Sequence, residues 1–448
     1  MKQLYPYQKK ALAWAEQRDR IALFMQMRLG KTVICIRWVK FKNAKRVLVL
    51  APLSVIPVWH KELQDEGIAS SMVVGDRAQK LEALNLPVKW FLMNYEGLLS
   101  ADAGNSDVEL RKKRIANGIV DLNWDCVILD ESTRARNPKA KLTKAIVNGF
   151  QDVKYRAILT GSPNPESTLD FFEQMRFLNG HFMGIKNYWT FRHIHYVQNF
   201  YDWVPKKGFE SKVRQYVHRL GYFLTRKAAG VGPGVVHESR YVELPAGVRA
   251  AYKKAERDWE LGDQSTKYIL PMLTWLAQLT GGAHEEFPHE AKVKELRALL
   301  DGELSGEQVV IWFRFNAELF KVRKELELKK ESLTWITGAT PMEERAVRLQ
   351  EFSKGKRRLL LVQAMCAQFG LDCSAADTAI YYSRWHSGLV NMQSADRIIH
   401  PAKKEPVLVI DLLAKNTIDE DVLKAVRNKV MNVKAFRNTL LSGIKERR

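Results

Sequence analysis

Nowhere does this sequence hold an apolar run approaching the roughly 20 residues that cross a bilayer, so a membrane protein is not expected. The opening residues Met1-Lys2-Gln3-Leu4-Tyr5-Pro6 lack the long apolar stretch of a secretory leader, and an intracellular protein is expected. Cysteine is scarce. Cys35, Cys126, Cys366 and Cys373 lie apart in apolar runs with no CxxC pair, which argues for buried reduced thiols and against a zinc site or a disulfide framework. Internal repeats and low-complexity tracts are absent, so neither a solenoid nor a disordered tail organises the chain.

Acidic residues are also in deficit. Asp and Glu number 50 against 71 Lys and Arg, a formal charge of +21. Such an excess favours polyanions through counterion release. The basic residues are spread along the sequence, which suits a groove lined by several elements better than a basic arm. With 448 residues, 46% of them hydrophobic and 27% charged, two or three globular domains are expected.

Continuous apolar, β-rich runs recur between helical patterns: Val47–Leu50, Trp90–Met93, Cys126–Leu129 and Ala157–Leu159, then Val309–Phe313, Leu359–Val362, Ala379–Tyr382 and Val407–Ile410. Runs of this kind mark strands buried on both faces, hence α/β lobes with parallel sheets, and two series imply two lobes. Residues 166 to 300 read mainly as helices, with an aromatic stretch from Phe182 to Trp203. Ala228-Ala229-Gly230-Val231-Gly232-Pro233-Gly234 is the clearest linker.

After the apolar run Ile21–Phe24 comes Met27-Arg28-Leu29-Gly30-Lys31-Thr32, then a helical pattern. Strand, Gly-Lys-Thr loop and helix make a phosphate cradle: Gly30 admits close backbone approach, Lys31 supplies a charge, and the Thr32 hydroxyl can ligate Mg²⁺. The first glycine of the full Walker pattern would fall at Met25, so the match is incomplete. A strand ending in paired carboxylates follows at Val127-Ile128-Leu129-Asp130-Glu131. Asp130 is placed to hold Mg²⁺, and Glu131 to orient and deprotonate an attacking water.

These residues, taken in order, resemble the Swi/Snf group of superfamily-two helicase-like ATPases over nearly the whole chain. Leu4-Tyr5-Pro6-Tyr7-Gln8 is similar to the family's glutamine motif, Ala51-Pro52-Leu53-Ser54 with Trp59 and Glu62 to motif Ia, and Asn94-Tyr95-Glu96 to motif Ib. Asp130-Glu131-Ser132-Thr133 stands for motif II, and Leu159-Thr160-Gly161-Ser162-Pro163 for motif III. Trp335-Ile336-Thr337-Gly338 with Arg345 and Phe352 resembles the segment after motif IV. Gly370-Leu371-Asp372 resembles motif V, and Gln393-Ser394-Ala395-Asp396-Arg397 motif VI. The loop carries Arg28 where the family has glycine, and His400 stands where a second motif VI arginine is usual. Ala367-Gln368-Phe369 replaces the family's Gly-Gly before Gly370.

The resemblance implies two RecA-like lobes, an ATP and Mg²⁺ requirement, and a DNA-dependent ATPase. Lys31, Asp130, Glu131 and Arg397 would be catalytic, with Arg397 crossing the cleft as an arginine finger. Gln8, Arg28, Leu29, Gly30, Lys31, Thr32, Gly370, Asp372 and Gln393 would bind nucleotide, and Thr32 and Asp130 the metal. Pro52, Ser54, Asn94, Thr160, Ser162, Thr337, Gly338 and Ala364 would contact the DNA backbone, with little sequence specificity. Expected domains are a first lobe over 1–165, its helical insertion over 166–230, an insertion or linker of the second lobe over 231–300, the second lobe over 301–415, and a basic C-terminal helix over 416–448 packing across the lobes. A monomer is expected in the cytoplasm of a bacterial or phage-infected cell. It would translocate on duplex or branched DNA and remodel forks or recombination intermediates. A strand-separating helicase, a translocase that displaces DNA-bound proteins and a scaffold with a decayed motor are the alternatives. The basic runs Arg111–Arg114 and Arg134-Ala135-Arg136 could widen the DNA footprint or be solvated. The aromatic insertion (Tyr188, Trp189, His193, His195, Tyr196, Tyr201, Trp203) could stack on bases or form core.

Overall fold

The computed structural model describes residues 3–100, 117–164, 167–199, 202–261, 264–266, 268–328, 330–428 and 433–447. The Arg111–Arg114 run and Tyr201 lie outside them. The chain divides into two compact units, Met1–Val231 and Gly232–Arg448.

The first unit contains β1 (Arg20–Met25), β2 (Val47–Ala51), β3 (Ser70–Val73), β4 (Trp90–Asn94), β5 (Cys126–Asp130), β6 (Tyr155–Thr160), β7 (Tyr196–Asn199), β8 (Asp202–Pro205) and β9 (Gly221–Leu224). Seven of these form one sheet in the order β3-β4-β2-β5-β6-β1-β9, every neighbouring pair parallel. Successive residues of β2, β5 and β6 feed opposite cores: Leu48, Leu50, Val127, Leu129 and Ile158 pack on one face, and Val47, Val49, Ile128, Ala157 and Leu159 on the other. Burial on both faces is why these strands read as unbroken apolar runs. Apart from the helix Pro6–Glu16 that carries Gln8, the chemistry-bearing segments of this unit leave the sheet at the carboxyl ends of its strands, where open α/β sheets bind ligands.

The second unit holds β10 (Val235–Val242), β11 (Glu260–Leu261), β12 (Gln264–Ser265), β13 (Val309–Phe313), β14 (Leu333–Ile336), β15 (Leu359–Gln363), β16 (Thr378–Tyr381) and β17 (Val407–Ala414). Six form a second parallel sheet, β10-β17-β16-β13-β15-β14, again with a core on each face. Val242 joins a further cluster with Tyr252, Leu276, Val422, Leu440 and Ile444 from the surrounding helices. Among the described residues, no helix is long and apolar enough to cross a membrane.

Two segments differ from expectation. The stretch from 166 to 300 is not helix alone: it contributes β9 to the first sheet, β10 to the second, and the antiparallel pair β7–β8. The strand β10 is hard to read because edge strands can stay polar, as its Val-Val-His-Glu-Ser-Arg-Tyr-Val sequence does. The C-terminal segment is two helices, Ile418–Arg427 and Val433–Arg447. Instead of an expected packing across lobes, its described anchors lie within the second unit: Leu440 and Ile444 are buried there, and Arg447 pairs with Glu256 at 2.9 Å and Asp421 at 2.7 Å.

Candidate nucleotide and nucleic-acid site

The loop after β1 reverses direction through two left-handed residues, Arg28 at φ 64° and Gly30 at φ 78°. For an arginine this conformation costs about 1–2 kcal/mol, which is why glycine is the easier residue there. Gly30 caps the helix Lys31–Phe41, so the first amides of that helix face the loop, and Lys31 and Thr32 occupy its first turn. The Lys31 ammonium donates to the carbonyl oxygens of Met25 at 2.9 Å and Gln26 at 3.3 Å. A side chain at Gly30 would strike the Gln8 amide, so only glycine lets Gln8 pack against the loop. Gln8 is buried. Its Nε2 donates to Leu29 O at 3.2 Å, and its Oε1 accepts from Tyr5 N at 3.0 Å. Gln8 thus braces the loop, and its amide keeps a second N–H and a second lone pair beyond these two bonds.

Strand β5 delivers Asp130 to the same end of the sheet. Its Oδ2 accepts from Trp59 Nε1 at 2.7 Å and its Oδ1 from the Glu131 amide at 2.9 Å, while the Tyr95 hydroxyl donates to its carbonyl at 2.8 Å. Burial, then the neighbouring Glu131 charge, pushes the Asp130 carboxyl up to about 6, against the lowering pull of the Trp59 bond and the Lys31 charge. The Lys31 influence marks loop and strand end as electrostatic neighbours. Glu131 sits at φ 50°, another left-handed non-glycine, and accepts from the Thr160 hydroxyl at 3.3 Å. Thr160 Oγ1 in turn accepts from the Ser162 amide at 3.1 Å. Ser132 Oγ donates to Gln174 Oε1 at 2.7 Å, and Gln174 Nε2 donates to Pro163 O at 2.7 Å. The two strand ends β5 and β6 are therefore tied by side chains as well as by the sheet.

Hard oxygen donors on Thr32 and Asp130, beside a glycine-built cradle, suit Mg²⁺. Of the expected backbone contacts in this unit, Asn94 and Ser162 are partly accessible, Ser54 is partly accessible but its hydroxyl oxygen is buried, and Pro52 and Thr160 are buried. Thr160 acts as a link to Glu131 instead of a surface contact. Asn94 Nδ2 donates to Glu96 Oε2 at 3.3 Å, and Glu96 pairs with Arg134 at 3.5 Å, so the Arg134–Arg136 run joins this rim.

In the second unit, Thr337, Gly338 and Ala364 come together at the ends of β14 and β15. Gly338 N donates to Gln363 Oε1 at 3.1 Å, and Arg345 Nη2 donates to Gly338 O at 2.9 Å. Thr337 and Ala364 are buried, main chain included, and only Gly338 of the three is exposed. Gly370, at φ 73°, ends the short helix Ala364–Phe369. Arg397 Nε donates to Ala367 O at 2.7 Å, and Cys373 N donates to Arg397 O at 3.1 Å. Gln393 Oε1 is buried without a hydrogen-bond partner among the described residues. Asp372 is exposed and accepts from Ser374 Oγ at 2.6 Å, while His400 Nδ1 accepts from the Ala402 amide at 3.1 Å.

Sequence reasoning gave no role to Gln174, and read Trp59 and Tyr95 only as parts of motifs Ia and Ib. Trp59 lies one helix away in a different motif, and Gln174 sits in an ordinary amphipathic pattern, so neither carries a local signal for its bond.

Fold and site together define a two-lobed RecA-like protein with a phosphate loop and an Asp-Glu strand end. The SNF2-related domain matches residues 7–256 and the Helicase conserved C-terminal domain residues 291–401, and the chain belongs to the SNF2-related family. It is 23% identical over 459 residues to the putative ATP-dependent helicase/translocase YwqA of Bacillus subtilis, covering 94% of this chain and 47% of that protein. It is 22% identical to the uncharacterized ATP-dependent helicase MG018 of Mycoplasma genitalium, covering 96% and 42%. The chain thus spans about half the length of these curated relatives. The helicase domain of Pyrococcus furiosus Hef shares the fold with a TM-score of 0.53 at 15% identity, covering 94% of this chain and 97% of that one.

Proposed function

We propose that this chain hydrolyses ATP with Mg²⁺ to move along duplex DNA, and that branched duplexes such as forks are its working substrates. The observation that carries the reading is the linkage Glu131–Thr160–Ser162 beside Lys31 and Asp130. It connects the carboxylate that would activate water to the loop after β6, so a change at the phosphate can be felt at a nucleic-acid contact.

In this reading Lys31 and the first amides of its helix hold the β- and γ-phosphates, and Glu131 accepts the proton of the attacking water. Thr32 and Asp130 would hold Mg²⁺, which when bound neutralises charge on the phosphate oxygens. For Arg397 we keep the role that family resemblance implies, a cation for the charge developing on the γ-phosphate. Gln393, whose Oε1 is buried without a partner among the described residues, is a nucleotide contact in the same scheme, as are Gly370 and Asp372. Ser54, Asn94, Ser162 and Gly338 take the DNA backbone, and the net charge of +21 supplies non-specific affinity.

The test compares ATP turnover with blunt duplex, single strands and no DNA, alongside displacement of a third strand from a triplex. Duplex-stimulated turnover with triplex displacement is expected. Stimulation by single strands alone, or turnover without displacement, would refute movement on duplex. Forks and four-way junctions beside linear duplex test the finer claim, which fails if branching makes no difference.

A further inference from the structure

The helix Tyr188–His195 runs directly into the antiparallel pair β7–β8, in which Val197 faces Val204 and Gln198 faces Trp203. One side of this element is aromatic core: Phe172, Phe182, Phe191, Tyr196 and Phe209 bury together, and His195 stacks on Phe209 at 4.1 Å. Its outward side is different. Trp189 is 38% exposed, Ile194 48%, Val197 49% and Val204 41%.

Cations stand beside Trp189 and Trp203, the latter on the hairpin face opposite Val197 and Val204. The Arg192 guanidinium lies 3.9 Å from the Trp203 ring centre and 4.7 Å from that of Trp189, whose ring also has the Lys139 ammonium at 5.5 Å. Residues 186–219 carry seven Lys or Arg against two acidic residues, and all of those basic side chains except Arg192 are exposed. Core packing explains Tyr196 and His195 but leaves Trp189, Val197 and Val204 uncovered.

A surface that is both cationic and aromatic suits nucleic acid whose bases are accessible. Inside a duplex the base faces are stacked on one another and only phosphates are within reach; an unpaired strand offers both phosphate and π-face. We infer that Trp189, Arg192 and the β7–β8 hairpin form a binding surface for unpaired nucleobases. It would hold the single-stranded arm of a branched DNA while the phosphate-loop machinery acts on the adjoining duplex. This rests on the DNA-translocase reading and deepens it by naming the single-stranded arm as a recognised part of the substrate.

The experiment measures affinity for a blunt duplex and for the same duplex bearing an oligo(dT) arm, over a range of salt. The wild-type chain should favour the armed DNA. Trp189→Ala, at an exposed site, should weaken armed-DNA binding about tenfold through lost stacking and leave blunt-duplex binding unchanged. Lys206→Glu with Lys207→Glu should lower the salt slope on armed DNA by about 1.4, roughly 0.7 for each lost single-strand phosphate contact. Equal wild-type affinity for the two DNAs overturns the inference. So does a Trp189→Ala variant that weakens both equally, or neither; the last is the result expected of a protein-docking face. Duplex-stimulated ATP turnover, measured alongside, separates the two readings. If it is present without arm preference, only the base-binding surface falls. If it is absent while arm preference persists, the translocase reading falls and the surface stands.

Discussion

Trp59 Nε1 donates to Asp130 Oδ2 across 2.7 Å, joining the helix Ile56–Asp65 to the end of β5. Trp59 is fully buried, so this bond is shielded from water, and it pulls the Asp130 carboxyl down against the raising effect of burial. Trp59→Phe keeps most of the ring packing but removes the donor. It should cost about 1–3 kcal/mol of stability, the usual penalty for an acceptor left unpaired in the interior. Asp130 should then titrate higher still, moving the acid limb of ATP turnover to higher pH. Thermal melts and pH–rate profiles of the two proteins check both outcomes.

Asp130 itself has a folded value of about 6, above its ordinary 3.8. A raised carboxyl binds its proton more tightly in the folded chain than in the unfolded one. The cost of keeping it ionised therefore appears as pH rises above about 4 and is complete above about 6, reaching no more than about 3 kcal/mol. A divalent cation at this carboxylate must displace the proton. Mg²⁺-ADP binding should thus release about half a proton near pH 6, approaching one near pH 5, and almost none at pH 8. Calorimetry in buffers of different ionisation enthalpy reads that number directly, and Asp130→Asn should abolish the release.

Lys31 and Glu131 should separate binding from chemistry. Lys31→Ala removes the loop's cation and should weaken nucleotide binding. Glu131→Gln should bind nucleotide normally yet lose about 10²- to 10⁴-fold in turnover, the range for a missing general base. Arg397→Ala should also bind, with turnover down about 10³-fold or more if it serves as the arginine finger. Fluorescent-nucleotide titration beside steady-state turnover distinguishes the three.

The second unit has its own sensitive point. Lys292, whose side chain is fully buried, pairs with Asp419 at 2.7 Å and donates to Tyr382 O at 2.9 Å. Thr280 Oγ1 also donates to Asp419, at 2.9 Å. Lys292→Ala strands the Asp419 charge and should cost about 3–5 kcal/mol. Lys292→Met, which keeps the stem, should cost less. Denaturant unfolding of both variants checks the order.

Much of this was legible in the residues themselves. Strands buried on both faces declare themselves as apolar runs; β2, β4, β5, β6, β13, β15 and β17 cover such runs, and β16 covers all of its run but Tyr382. Gly30-Lys31-Thr32 and Asp130-Glu131 are short-range patterns, readable because their chemistry is local. What stayed hidden depends on distance. Strand β9 is only Gly-Tyr-Phe-Leu, recognisable once β1 lies beside it. The bond from Trp59 to Asp130 spans 71 positions, and nothing near either residue announces it. The left-handed backbone at Arg28 and Glu131 is equally silent, because those side chains do not ordinarily choose it.

The strand order of the first sheet also sets a timetable for synthesis. Strand β1, from which the phosphate loop springs, lies between β6 and β9, so its first neighbour begins at Tyr155 and its second at Gly221. Nothing made earlier can flank it. Strand β1 must therefore wait on the ribosome about 130 residues for its first neighbour and about 200 for its second. Nucleotide binding is accordingly a late acquisition of the nascent polypeptide, and this stretch is where a chaperone would be needed most.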